Sequence, residues 1–199
     1  MESGRLIYDR DMLRPEFPLL TDRLLMRPFR DDDLDAFHAI QSRPDIVRYL
    51  YWEPKSRDEA REMLERRMLQ VAIEKQGDGL HLAAELRDTG ELVGHFSLFY
   101  VSEEHHQGEV GFVVHPEHHG RGYGKEGALL FLRLGFEELH LHRIVGRCDA
   151  RNAASARLME SLGMRREAHL IENEWVKGEW TDEFDYAMLD REWAEIAQA

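Results

Sequence analysis

Between Val113 and Glu126 the chain reads Val-Val-His-Pro-Glu-His-His-Gly-Arg-Gly-Tyr-Gly-Lys-Glu, and this stretch limits the available folds more than any other. An apolar run ends at Pro116. Three glycines follow at alternate positions, Gly120, Gly122 and Gly124, and a helical pattern then runs from about Lys125 to Leu139. The glycines leave backbone N–H groups uncovered at a helix start, where the dipole is positive, so the place suits a diphosphate. The same spacing also serves an ordinary strand-to-helix turn. The loop lacks the Gly-Lys-Ser/Thr ending of a P-loop, because Glu126 follows Lys125. It also lies in the second half of the chain, whereas a dinucleotide-binding loop follows the first strand. Nucleotide hydrolysis and hydride transfer are both disfavoured.

Downstream, Arg143 to Cys148 reads as a short apolar strand, and Asn152-Ala-Ala-Ser155-Ala-Arg-Leu158-Met-Glu-Ser-Leu-Gly163-Met164 follows. This arrangement resembles the Gcn5-related N-acetyltransferase (GNAT) superfamily. The family's Arg/Gln-x-x-Gly-x-Gly/Ala signature maps onto His119 to Gly124, and its Asn-x-x-Ser-x-x-Leu-x-x-x-x-Gly-Phe/Met pattern onto Asn152 to Met164. The opening Leu19 to Pro28 and the strand Gly108 to Phe112 look like the ribosomal-protein N-acetyltransferase (RimJ/RimL-type) branch. His119 departs from the usual Gln or Arg, so its charge depends on pH.

The chain of 199 residues is most simply a lead-in over 1–18 and one N-acetyltransferase domain over 19–199. The single Cys148 excludes an internal disulfide and fits a reducing compartment. No apolar run is long enough to cross a bilayer and the first residues start no signal peptide, so a cytoplasmic location is expected. The net charge of −13, from 26 Lys and Arg against 39 Asp and Glu, argues against a nucleic-acid partner. Such a surface draws in cations such as amines, or simply keeps the protein soluble.

Thr21 to Pro28 reads as a strand. Asp31 to Asp33 open a helix to about Gln41, and a short helix follows over Pro44 to Leu50. Ser56-Arg-Asp-Glu59 is a capping box before Ala60, Met63, Leu64, Met68 and Val71, which share one helical face. That helix is expected to stop near Gln76 to Gly79. Leu80 to Leu86 and Glu91 to Tyr100 flank a hairpin turn at Asp88-Thr89-Gly90, and Glu109 to Val114 is another strand. Strands near Arg166 to Ile171 and Phe184 to Leu189 flank a turn over Val176 to Trp180. Strands alternating with helices imply an α/β layered fold with a mixed sheet. The resemblance adds a mostly antiparallel sheet with one splayed parallel strand pair, flanked by helices.

The resemblance implies acetyl transfer from acetyl-CoA to a primary amine, with a protein or peptide N-terminus as the leading acceptor. A polyamine, amino acid or aminoglycoside is the small-molecule alternative. A non-catalytic acyl-CoA-binding module is the alternative outside enzymes. No metal cofactor is expected: His105, His106, His115, His118 and His119 lie in loops, and there is one cysteine where zinc needs three or four well-placed ligands. A homodimer is an option that the resemblance leaves open.

By the same resemblance, Phe112, Val113 and Val114 face the pantetheine arm and the thioester. A backbone N–H there can polarise the acyl carbonyl. His119, Gly120, Arg121, Gly122, Tyr123, Gly124 and Lys125 surround the diphosphate. Asn152 bonds the pantetheine amide or caps a helix, and Ser155 protonates the departing thiolate or satisfies a helix-start N–H. Tyr123 and Arg157 touch the cofactor or the solvent. Glu109 is the candidate base if burial raises its pKa, or else a solvated strand-edge charge; Glu85 is the weaker alternative. At pH 7.4 a lysine-like amine is about 0.1% neutral, which costs about 4 kcal/mol, against about 1 kcal/mol for an α-amine about 20% neutral. Tyr49, Tyr51, Trp52, Trp175, Trp180 and Phe184 line an acceptor groove or pack in the core.

Overall fold

Tight turns join some consecutive strands as antiparallel neighbours, helical segments carry the other connections, and one of these is a crossover between parallel strands. The computed structural model describes residues 12–197. The strands are β1 (Leu19–Leu20), β2 (Leu24–Arg27), β3 (Gly79–Leu86), β4 (Leu92–Ser102), β5 (Gln107–Val114), β6 (Arg143–Asp149), β7 (Arg165–Val176) and β8 (Glu179–Leu189). They form one eight-stranded sheet in the order β1-β2-β3-β4-β5-β6-β8-β7. The helices are α1 (Leu34–Gln41), α2 (Pro44–Val47), α3 (Arg57–Met68), α4 (Tyr123–Arg133), α5 (Ala153–Ser161) and α6 (Asp190–Ala197). The expected α/β architecture with a mixed sheet is therefore present. Only β5 and β6, linked through α4, run parallel.

The sheet is covered on two sides. On one face α4 lies against β4, where Gly127 lets the helix backbone close on the Phe96 ring. Phe96 and Phe131 stack there with centroids 5.8 Å apart. On the other face α1 and α3 bury Phe37, Leu64 and Ala83. Side chains alternate across a strand. Through the register of β4 to β8, the α1–α3 side therefore also receives His95, Val113, Glu109, Arg147, Asp185 and Glu183.

Two expectations change in extent. Helix α3 opens with the expected capping box, Ser56 against Glu59, but ends at Met68 rather than near Gln76. The apolar residues that follow it serve as extended chain: Ile73 is fully buried and exchanges backbone hydrogen bonds with Leu13 at 2.8 and 2.9 Å. The last hairpin is much longer than its apolar content suggested. Lys177 and Gly178 both take positive φ, 52° and 82°, as a two-residue hairpin turn requires. Strand β7 is an edge strand with a mostly exposed, charged pattern, which hides it from any search for alternating apolar residues.

Candidate active site

The glycine loop folds as a strand-to-helix cradle. Gly120 and Gly122 have φ of 73° and 84°, a region open to glycine at little cost, and Gly122 forms the N-cap of α4. A Cβ on Gly120 would meet nothing within 4 Å, so the cradle opens outward. The loop, the end of β5, α2 and the start of α5 together line a groove of about 620 Å³. Phe112, Val113, Val114, His119, Gly120, Gly122, Tyr123, Gly124 and Lys125 all border it, as do Asn152, Ser155 and Arg157. Arg121 does not: its residue is exposed and its carbonyl accepts from Arg23 Nη1 at 2.8 Å.

Beside this groove the parallel pair opens. The β5–β6 ladder consists of Gln107 with Arg143, Gly108 with Ile144 and Glu109 with Val145, and goes no further. Beyond it, β5 pairs only with β4, and β6 only with β8. The His115 N–H donates to Val93 O at 2.8 Å, Val113 O lies against Gly94, and Ser97 Oγ donates to Gly111 O at 3.3 Å. Ladder alternation therefore turns the amides and carbonyls of Phe112 and Val114 towards the gap. Val113 borders the groove as well, but its backbone is turned to β4. The His119 ring closes part of this edge, with Nε2 2.8 Å from Val114 O. A carbonyl only accepts, so Nε2 carries the proton.

The two motif residues on α5 divide their work. Asn152 Oδ1 accepts the Ser155 backbone N–H at 3.1 Å and caps the helix. The Ser155 hydroxyl is not used in the cap and sits on the groove wall. The other hydroxyl on α5, Ser161 Oγ, donates back to Leu158 O at 2.8 Å.

At the closed end of the gap lies an acidic group. Glu109 Oε2 accepts from Arg147 Nη1 at 2.7 Å. Burial raises the Glu109 pKa above the ordinary carboxylate value; Arg147 opposes the rise, and Glu183 and Asp185 add to it. Arg147 faces Asp185 across β6 and β8, and Asp149 faces Glu183. Glu183 is 4% exposed and accepts from the Tyr51 hydroxyl and from Asn173 Nδ2. Asp185 Oδ1 is buried, meets no hydrogen-bond donor among the described residues, and lies 3.5 Å from Arg147 Nε. Glu85 is elsewhere: it is two strands from β5 and ion-paired to Arg27, which also holds Asp33, so it has no access to the gap.

The aromatic set splits. Tyr49 and Tyr51 border a small cavity with Asp149, Glu174 and Glu183. Trp52 donates to the fully buried Gln41, while Phe184 packs edge-on to His169. Trp175 and Trp180 are 60% and 56% exposed and pack on each other at the hairpin tip. Lys177, at that tip, donates to Val47 O of α2. His118 is buried with Nε2 3.1 Å from Glu91 Oε1, and His115 Nδ1 accepts from Glu117 N at 3.4 Å. Among the described residues no group of three or more His, Cys, Asp or Glu is arranged to hold a metal ion. No described helix is long and apolar enough to cross a membrane. Sequence reasoning missed Arg147, Glu183 and Asp185. Their period-two spacing was visible, but the register that brings them beside Glu109 was not.

A profile described as the acetyltransferase (GNAT) domain matches residues 23–165. An uncharacterized N-acetyltransferase of Bacillus subtilis is 32% identical over 176 residues, covering 88% of this chain and 98% of the relative. The spermidine N(1)-acetyltransferase of Vibrio cholerae is 26% identical over 169 residues, covering 82% and 91%. A crystal structure of a GNAT-family acetyltransferase from Bacillus anthracis superposes with a TM-score of 0.78 at 31% identity, covering 87% and 98%.

Proposed function

Because this chain belongs to the GNAT acetyltransferase family, whose members take an acetyl group from acetyl-CoA, we propose that its acceptor is a small amine carrying more than one positive charge, of the polyamine type. The observation that carries this reading is the carboxylate floor of Glu109, Asp149, Glu183 and Asp185, four acids against two cations, Arg147 on Glu109 and Asp185 and Arg151 on Asp149. One ammonium needs one carboxylate; a floor with several suits a chain of ammonium groups. The spermidine enzyme among the relatives is in keeping with it. An N-terminal amine of a protein or peptide, the acceptor implied by the RimJ/RimL-type motifs, is the second reading. Its support is the larger neutral fraction of an α-amine, about 20% against about 0.1% at pH 7.4.

The chain fits the cosubstrate. Gly120 leaves open space at the loop, Gly122 holds a positive φ that a side chain would strain, and the separated strands leave the backbone of Phe112 and Val114 facing a slot. Bound acetyl-CoA supplies an activated acyl thioester. The loop amides from Gly120 to Gly124 orient it, with Tyr123 and Lys125 alongside. An amide of Phe112 or Val114 donates to the acyl oxygen. Glu109, raised in pKa by burial, takes the proton of the acceptor ammonium. As the amine nitrogen bonds to the acyl carbon and the C–S bond breaks, the Ser155 hydroxyl would give its proton to the departing thiolate and take in exchange the second proton that the nitrogen sheds. Asn152 holds α5, and Ser155 with it, at the groove.

The test is a panel of polyamines, amino acids, aminoglycosides and N-terminal peptides offered with acetyl-CoA, read by thiol release and product mass. Di- and polyamines are expected to be acetylated with kcat/KM at least about tenfold above monoamines, which matches the gain from one extra charge-assisted contact. Preference for peptides would replace this reading with the N-terminal one. Binding of acetyl-CoA without turnover on any amine would leave a non-catalytic module.

A further inference from the structure

A carboxylate in the first turn of a helix is stabilised by the dipole, yet in α4 it places negative charge beside the loop assigned to a diphosphate. Glu126 is that carboxylate, and its side chain is only 14% exposed. Thr21 Oγ1 donates to Glu126 Oε1 at 2.6 Å, and the Arg23 backbone N–H donates to the same oxygen at 2.7 Å. Arg23 Nε donates to Oε2 at 2.7 Å and Nη2 lies 2.6 Å from it. The remaining arm of the fork, Nη1, takes the Arg121 carbonyl at 2.8 Å, and the guanidinium carbon sits 4.7 Å from the Tyr123 ring centroid. The turn that supplies these donors is itself held, since Arg87 Nη1 donates to Thr21 O and Asp22 O at 2.8 and 3.0 Å. A loop can aim its N–H groups at an anion only if its carbonyls point elsewhere and find donors there. Arg23 meets both needs. It cancels the charge of Glu126, and it draws the Arg121 carbonyl away from the groove.

We propose that Arg23, with Thr21, is a positioning residue for acetyl-CoA: it neutralises Glu126 and turns the Arg121 carbonyl outward, so that the Gly120–Gly124 amides face the diphosphate. This rests on the reading of that loop as the diphosphate site. The two parts make different demands on variants. A pin that merely tied the β1–β2 turn to α4 would weaken further when its second partner was also removed. A charge-neutralising residue becomes less necessary once the charge is gone.

Calorimetric titration with CoA and steady-state kinetics on the full chain separate them. Arg23→Ala is expected to raise the Kd for CoA and the KM for acetyl-CoA about tenfold or more, which is the weight of one uncompensated charge near an anion. Its kcat at saturating acetyl-CoA and its KM for the amine are expected to stay within about twofold of wild type, because neither reacting group is touched. Arg23→Ala with Glu126→Gln is expected to bind CoA more tightly than Arg23→Ala alone. If Arg23→Ala does not fold, Arg23→Gln against Arg23→Gln with Glu126→Gln makes the same comparison. Wild-type affinity in the Arg23 variant, or a double variant that binds no tighter than the single one, overturns the proposal alone. Failure of the wild-type protein to bind CoA overturns the diphosphate reading and the proposal with it.

Discussion

Replacing Glu109 by Gln removes the proposed base and keeps its size and its contact with Arg147. Positioned bases contribute roughly 10²- to 10⁴-fold, so kcat/KM for the amine is expected to fall within that range near pH 7.4. The pH dependence is more diagnostic. A polyamine-like amine is about 0.1% neutral at pH 7.4 and about 10% neutral at pH 9.4, so the variant should recover about a hundredfold over that span without any base. The wild-type protein gains less there, since Glu109 already supplies the deprotonation. The gap between them should therefore shrink by up to about a hundredfold. On the acid side, wild-type kcat/KM should rise as Glu109 ionises, at a pH above the ordinary carboxylate value of 4.5, because burial raises its pKa more than Arg147 lowers it. CoA affinity should not change, because Glu109 does not border the cofactor groove. The assay is thiol release across pH with calorimetry for CoA. A ratio of wild type to variant that stays constant from pH 7.4 to 9.4, or unchanged turnover at neutral pH, would remove Glu109 from the chemistry.

Three further outcomes follow from contacts described above. Ser155→Ala should lower kcat about 10²-fold with little change in melting temperature, since the cap uses the Asn152 side chain and the residue 155 backbone; unaltered kcat would reassign the proton donor. Gly127→Val drives a side chain into the Phe96 ring and should cost about 1–3 kcal/mol, or roughly 2–12 °C in Tm by calorimetry; a neutral result would mean that α4 can shift off β4. Thr21 and Arg23 hold the Glu126 pKa below its ordinary value although burial pushes it up, so this carboxylate stabilises the fold above the unfolded-state value of 4.5 and ceases to as pH falls through the lower folded-state value. Glu126→Gln should therefore melt lower than wild type at pH 7, with the difference closing below about pH 4.5 in denaturation scans. A difference that persists at low pH would locate the contribution in packing rather than charge.

What the sequence made legible was local. Ser56 and Glu59 announce the start of α3, Asp88 to Gly90 announce the β3–β4 turn, and Gly120 to Gly124 announce the cradle, because each acts through neighbours a few residues away. The two motifs on α4 and α5 placed the groove lining through resemblance. What stayed hidden depends on pairing at a distance. Val71 fits a helical face by spacing, yet the chain is extended there, and two residues on, Ile73 bridges Leu13, 60 positions away in sequence. Arg147, Asp185 and Glu183 are ordinary charged strand residues until the register sets them around Glu109. Glu85 stood as the weaker alternative to Glu109, and the structure commits it to Arg27. Arg23 and Thr21 read as strand residues within a family motif, since nothing local connects them to Glu126 more than a hundred residues later.

The short parallel ladder has a consequence for the stability of the protein as well as for its chemistry. Between Gln107–Glu109 and Arg143–Val145 the sheet is joined by three rungs, where a full-length pairing would have closed it. A molecule lodged in the slot stitches the two sides together and binds only the folded form, so resistance to unfolding grows with its concentration, by about 2.7 kcal/mol at a hundredfold excess over Kd. The melting temperature of this chain is therefore expected to climb with the concentration of acetyl-CoA, the three rungs leaving the rest of that seam to the ligand.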